Sequence, residues 1–414
     1  MVRTDRLAIW ILIVTFVLLI PGIRFLKLTD ELACAALFAL ACADAIANGR
    51  AARFRLLWYV IAIAFFYLLY TLAFCRFNTP GAVCGDFIIE MKPYIPFAVM
   101  LGLAPRPTLT ELTVLKWVAV ANAAAATLCM LCGLTDAVLY HPLYGGAVIF
   151  ISMLVYVYSC SALDPAGRLS RRCLAVATVM ILCGLACTRS KYYGEAVVAL
   201  FFLWVYRPDM FRRMNMRGVA IAAILILLVG AVSWSKFNFY FITGASAGLD
   251  RDTIQSFARP ALYGTSLLIL CHYIPFGSGL ASFASYFSTQ PYSSLYFSYG
   301  LDKIYGLSPM NHEFACDAFY PSLAQTGIAG VGLFVWFWVY IATLLRRLLK
   351  TDPTRFRIPF AVGALVIVFI MIENVASTLF TQSSGLVAMC LLGIICGMTP
   401  EKAREKKPES RIIR

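Results

Sequence analysis

The sequence predicts an all-α, polytopic integral membrane protein of about 12 transmembrane helices with one large outer loop. Two observations carry this. Of 414 residues, 61% are hydrophobic and 14% charged, whereas soluble domains run about half apolar and about a quarter charged. The apolar residues also come in blocks of roughly 17–25, each long enough to cross a hydrocarbon core as a helix. A β-barrel would instead alternate apolar and polar residues over about ten positions.

The spans are predicted at 7–23, 31–48, 56–74, 87–104, 113–134, 144–160, 172–188, 192–206, 217–235, 321–345, 358–375 and 378–397. Arg3 and Arg6 precede the first, and no small-residue cleavage site follows it, so an uncleaved first span is expected rather than a signal peptide. Placing the N-terminus in the cytoplasm puts 25 of the 35 Lys and Arg residues on the inner side, as the positive-inside rule requires. The net charge of +14 is therefore largely a topology signal, with anionic membrane lipid rather than nucleic acid as its partner. The chain then divides into helices 1–9 over 1–235, an outer cap over 236–320, helices 10–12 over 321–397, and a basic tail over 398–414. The cap is rich in Tyr, Phe and Leu, which argues for a folded element. The 14 cysteines are scattered, mostly within apolar spans, and no spacing marks a metal cluster. Cys75 and Cys84 flank one short outer loop and are candidates for a disulfide.

Cations on the outer side carry the chemistry. In "CTRSKYYGEA", Arg189 and Lys191 sit with Glu195 between two spans that leave almost no loop. Ionisable residues at that depth usually face the bundle interior and mark a ligand path. Lys92, in "GDFIIEMKPYIPF", lies in the outer third of a span near Glu90. The alternative reading is a structural network of Lys92, Arg189 and Lys191 with Glu90 and Glu195. Arg and Lys together suit an anion, Arg as a planar fork for phosphate oxygens and Lys as a point charge. Arg259 precedes Pro260 in the cap and is expected to hold a fixed position. "DRD", Asp250 to Asp252, resembles a nucleotide-sugar metal motif, but two Asp at a helix start read more simply as caps. His312, in "SPMNHEFACDAFYP", stands close to Glu313 and Asp317 and is a candidate general base, as is Asp317. His141 and His272 show no such company. The cap aromatics, Tyr292 and Tyr299 among them, can stack on sugars or form an interfacial belt.

Several stretches taken together resemble the O-antigen ligase and Wzy-type polysaccharide polymerase superfamily. They are "TRSKYYGEA", "FARPALYGTSLLIL", "PFGSGLASFASYFS", "YSSLYFSYGLDKIYGL" and "DAFYPSLAQTGIAG", within residues 185–335. The resemblance implies a GT-C-like fold in the bacterial inner membrane and an inverting glycosyltransferase working on the periplasmic face. Its donor would be a glycan on polyprenyl (undecaprenyl) pyrophosphate. The acceptor would be another lipid-linked repeat unit in a polymerase, or lipid A-core in a ligase, and a chain-length regulator protein is a further partner. The pyrophosphate would fall to Arg189, or Lys191, and Arg259, with Lys92, Tyr292 and Tyr299 also at the substrate. Asp317, His312 and Glu195 are the catalytic candidates. Ligases resemble one another in a His-Asn pair about nine residues before Gly-x-x-Gly. Counting back from Gly327 and Gly330 puts Cys316 and Asp317 there, with His312 four residues early, which favours the polymerase branch. No nucleotide, redox cofactor or metal is implied. A transporter or lipid flippase is the reading from another class, and it predicts broken helices with charges near the bilayer midplane.

Overall fold

The computed structural model describes residues 4–207, 234 and 258–398. The ninth predicted span, residue 234 apart, the Asp250–Asp252 triplet, the first part of the cap and the tail beyond Met398 lie outside the described residues.

The described residues form helices and no β-strand. In chain order these are α1 (Thr4–Val17), α2 (Leu19–Arg24), α3 (Thr29–Ala47), α4 (Arg55–Phe74), α5 (Pro80–Met91), α6 (Tyr94–Leu103), α7 (Leu109–Leu131), α8 (Pro142–Leu163), α9 (Arg171–Gly184) and α10 (Ser190–Leu200). After the undescribed stretch come α11 (Ala258–His272), α12 (Ser294–Ser298), α13 (Phe319–Ser322), α14 (Gly327–Thr351), α15 (Arg357–Glu373) and α16 (Ser383–Cys396). Four helical stretches are long and apolar enough to cross a membrane: Ala51–Phe74, Leu109–Leu131, Pro142–Leu163 and Phe319–Thr351.

Other predicted spans are shorter or interrupted. The first is split between α1 and α2, near Pro21, and the fourth between α5 and α6 at Lys92-Pro93. Proline lacks the N–H that a continuous helix needs. The seventh and eighth become α9 and α10, of 14 and 11 residues. The second, α3, is 19 residues long but carries Asp30, Glu31 and Asp44.

The bundle is organised around α8, which packs against α7, α9, α15 and α16. It is apolar on all sides and buried from Gly145 to Ser161, as a central helix must be. Helix α16 is buried from Ser384 to Cys396. The outer helices turn large apolar side chains outward instead. Tyr59, Phe65, Leu69 and Phe74 on α4 and Val335, Trp336 and Val339 on α14 are all exposed. Apolar surface on this scale calls for an apolar surrounding or a partner.

The described part of the cap has a core of its own, including Leu262, Ile269, Phe283, Tyr296 and Leu307. Its loop over residues 275–291 docks onto α4, α5 and the start of α14 through side chains that meet its backbone. Asn78 Nδ2 donates to the carbonyls of Ala281, Phe287 and Pro291, at 2.8–2.9 Å. Thr71 Oγ1 accepts from Leu280 N, and Asp86 Oδ2 from Ala281 N. Gln325 Oε1 accepts from Ser282 N and Phe283 N. Gly277 (φ +82°) and Gly327 (φ +66°) meet back to back, and a methyl on either would collide with the other's nitrogen. Only glycine suits both the left-handed backbone and the close approach. "PFGSGLASF" and "AQTGIAG" are therefore two halves of one joint, which fixes the chain on either side of α13.

Cys75 and Cys84 are both free thiols, a correction to the disulfide expectation. Cys75 packs where a side chain on Gly279 would stand, while Cys84 is exposed on α5.

Candidate functional site

Short helices α9 and α10 run antiparallel, with Tyr192 OH donating to Ile181 O at 3.0 Å and Trp204 Nε1 to Thr178 Oγ1 at 2.9 Å. Between them Thr188 adopts φ +53°, a rare conformation for a β-branched residue. That turn aims Arg189 and Lys191 at the start of α8 and the α15–α16 turn. A second positive-φ residue, Tyr140 (φ +63°), directly precedes His141. Strained backbone of this kind costs roughly 1–3 kcal/mol and clusters at functional sites.

Lys191 Nζ pairs with Glu373 Oε2 at 2.5 Å and donates to Ala376 O at 3.5 Å. Glu373 is 2% exposed and also accepts from Ser377 Oγ at 3.1 Å. Glu195, one helical turn after Lys191 and fully buried, lies within electrostatic reach of both Glu373 and Lys191. Arg189 contacts His141, with Nη2 2.8 Å from Nε2. Its Nε is buried without a partner among the described residues.

Arg259, in the first turn of α11, forms an ion pair with Asp317. One turn on, Tyr263 OH donates to Val375 O at 2.9 Å, so α11 reaches the turn that Lys191 also reaches. Phe319 N bonds the carbonyls of Asn374 and Ser377, which ties the Asp317 segment to the same turn. Asn374 is fully buried, and both atoms of its amide lack partners among the described residues. Arg189, Lys191, Arg259, Asp317 and Glu195 therefore converge on one end of the bundle.

Two members were missed in the sequence. Glu373 sits inside a predicted span, where a lone carboxylate is itself a signal. His141 was set aside, yet Arg189, Lys191, Asp317 and Asp136 all act on its ring. Its Nδ1 accepts from Leu143 N at 3.2 Å, capping α8, while Nε2 faces the Arg189 donor. A neutral imidazole has one lone-pair nitrogen and a protonated one has none, so a contact in which the ring accepts opposes protonation. Burial first, and then Arg189 and Lys191, push the His141 pKa below its ordinary value.

This has a consequence for stability. As pH falls through about 6.5, His141 in the unfolded chain takes up a proton before the folded chain does. The contribution is present above about 6.5 and is lost as pH falls toward the lower folded value. The melting temperature should therefore drop more between pH 7.5 and pH 5 in the wild type than in His141→Gln. Equal drops would show that the ring is not held neutral.

The remaining sequence candidates are placed elsewhere. Lys92 is 5% exposed, and its Nζ pairs with Asp30 at 2.7 Å and Glu31 at 2.5 Å. It clamps the α5–α6 break to α3, and Glu90 is not its partner. Glu90 lines a largely apolar groove between α4, α6 and α14. His312 is half-buried with no partner for Nδ1, and no hydrogen bond links it to the Arg189 group. Tyr292 OH donates to Leu307 O at 2.6 Å, and its ring packs on Tyr296 inside the cap. Tyr299 stacks on His272 and hydrogen-bonds its Nδ1. These two tyrosines hold the cap together. No group of three or more His, Cys, Asp or Glu among the described residues is placed to hold a metal ion.

The chain is thus a helical protein with membrane-length helices and a buried charged cluster at one end of its bundle. No protein-family model and no curated protein matches it.

Proposed function

We propose that the protein is an inner-membrane glycosyltransferase that polymerises repeat units carried on polyprenyl pyrophosphate, building an O-antigen, capsular or exopolysaccharide. The observation that carries this reading is the convergence of Arg189, Lys191 and Arg259 on one end of the bundle, with Arg189 Nε buried and without a partner among the described residues. Against them stand Asp317 and Glu373, which leaves a formal excess of one cation, Glu195 aside. A dianionic pyrophosphate fits such a place as an arriving substrate and as a leaving group. In this reading the chain spans the membrane twelve times with the N-terminus inside, and the cluster opens to the periplasm beneath the 236–320 cap.

The reaction follows from the residues. Arg189, Lys191 and Arg259 draw the pyrophosphate oxygens in, and the Arg189 fork leaves His141 Nε2. An acceptor hydroxyl then attacks the anomeric carbon from the face opposite the pyrophosphate. The new C–O bond forms as the bond to the pyrophosphate oxygen breaks, and the electron pair departs with the pyrophosphate. The hydroxyl proton passes to the Asp317 carboxylate, freed as Arg259 turns to the pyrophosphate, and the configuration inverts. The cations offset charge that grows on the leaving group in a partly dry site.

The interrupted helix at Lys92-Pro93 favours the transporter reading, since broken helices line transport sites. Its charges are closed in an ion-paired clamp with α3, however, and Arg189, Lys191 and Arg259 gather elsewhere, at one end of the bundle. Incubating purified protein with a lipid-pyrophosphate repeat unit separates the readings. A ladder of products from the repeat unit alone is the expected result. A single transfer that requires lipid A-core would make the protein a ligase, and no covalent product with either acceptor would remove the enzyme reading.

A further inference from the structure

The other end of the bundle holds a second basic site. Helix α8 runs from the His141 cap to Leu163, and α15 from Arg357 to Glu373. Both begin or end at the cluster described above, so their far ends lie roughly 25–33 Å away, about one hydrocarbon thickness. There, between the loops at 164–170 and 352–357 and the end of the helix after α10, is a cavity of about 530 Å³. That is within the range of small-ligand sites.

Among the described residues three arginines line it, Arg168, Arg207 and Arg357, and no carboxylate does. Two neighbouring acids hydrogen-bond backbone N–H groups of their own loops. Asp164 Oδ2 accepts from Arg168 N at 2.7 Å, and Asp352 Oδ1 accepts from Thr354 N and Arg355 N. Arg357 Nη2 donates to Tyr206 O at 2.5 Å, while its Nε is buried without a partner among the described residues. Arg207 lies close enough for its charge to act on Arg357. Two guanidiniums facing one cavity repel each other, and an anion between them relieves this. The rest of the wall includes Trp204, Leu169, Leu174 and Leu203, the pairing of apolar surface and aromatic ring found at headgroup level.

We propose that this cavity binds a phosphate group, chemistry shared by an anionic lipid headgroup and a free phosphate compound. The planar forks of Arg168, Arg207 and Arg357 match phosphate oxygens in a bidentate manner, and basic pockets between membrane helices commonly take such headgroups. The site is independent of the glycan-transfer reading and stands or falls separately from it.

The test measures the melting temperature of the full chain in phosphatidylcholine nanodiscs, in nanodiscs containing phosphatidylglycerol, and in detergent with or without inorganic phosphate. Phosphatidylglycerol is expected to raise it by roughly 2–5 °C. The Arg168→Gln/Arg207→Gln double variant, made at two exposed positions, should lose most of that rise, measured from its own melting temperature in phosphatidylcholine. Arg346→Gln/Arg347→Gln removes the same charge from exposed positions elsewhere and should keep it. A rise with inorganic phosphate as well assigns the phosphate itself as the ligand, and a rise with phosphatidylglycerol alone assigns the lipid headgroup. No rise with either probe, an equal rise in Arg168→Gln/Arg207→Gln, or an equal loss in Arg346→Gln/Arg347→Gln would overturn the proposal.

Discussion

Arg189→Ala and Arg259→Ala should each lower glycan transfer by roughly 10²–10³-fold, the cost of removing one preorganised donor from a developing oxyanion, while the protein stays folded. The two losses have different side effects. Without Arg189, His141 loses the guanidinium 2.8 Å from its Nε2, and the anion site is weakened. Without Arg259, Asp317 loses its ion-pair partner and becomes an unpaired negative charge near the substrate phosphates. Arg189→Lys keeps the charge without the fork and should recover part of the rate. Turnover from a lipid-pyrophosphate repeat unit, with the melting temperature as the folding control, reads all three. Full activity in both alanine variants would remove these residues from the reaction.

The second large effect concerns the cap. Gln325 is 1% exposed; its Oε1 accepts from Ser282 N and Phe283 N, and its carbonyl accepts from Gly279 N at 2.9 Å. Gln325→Leu keeps the carbonyl but leaves two buried N–H groups without an acceptor. At about 1–3 kcal/mol for each unsatisfied group, the docked loop should lose roughly 2–6 kcal/mol. Limited proteolysis should then cut within 275–291 at protease levels that leave the wild type intact. Unchanged resistance would mean that the joint does not depend on this side chain.

The architecture was legible where composition alone decides it. Apolar blocks with few charges can only be helices with an apolar surrounding, and α4, α7, α8 and α14 follow directly. Boundaries failed where single residues intervene, as at Pro21 and Lys92-Pro93. The loop joint was visible only as two separate glycine-containing motifs, because their meeting depends on chain segments about 50 residues apart.

The site divides in the same way. Arg189 and Lys191 stood out because cations are costly at a span end, and Arg259 because it stands just before Pro260 in the cap. Their partners did not, since Glu373 lies 182 residues from Lys191 and His141 lies 48 residues from Arg189. Lys92 was read with its sequence neighbour Glu90. Residues two apart on a helix do not face each other, and the buried lysine found Asp30 and Glu31 instead. Tyr292 and Tyr299 show the reverse error. Aromatics in a small cap are needed first for its own core, and composition does not distinguish that use from sugar stacking.

The central claim is that the Arg189–Lys191–Arg259 cluster holds a pyrophosphate, and direct binding tests it before any chemistry is required. Polyprenyl pyrophosphate and polyprenol, which share a tail and differ in the headgroup, are titrated into the purified protein and into Arg189→Ala/Arg259→Ala. The account predicts that the pyrophosphate binds the wild type at least about tenfold more tightly than polyprenol, a difference of about 1.4 kcal/mol, and that the double variant loses this preference. Equal affinity for the two lipids, or a preference that survives in the double variant, would contradict it.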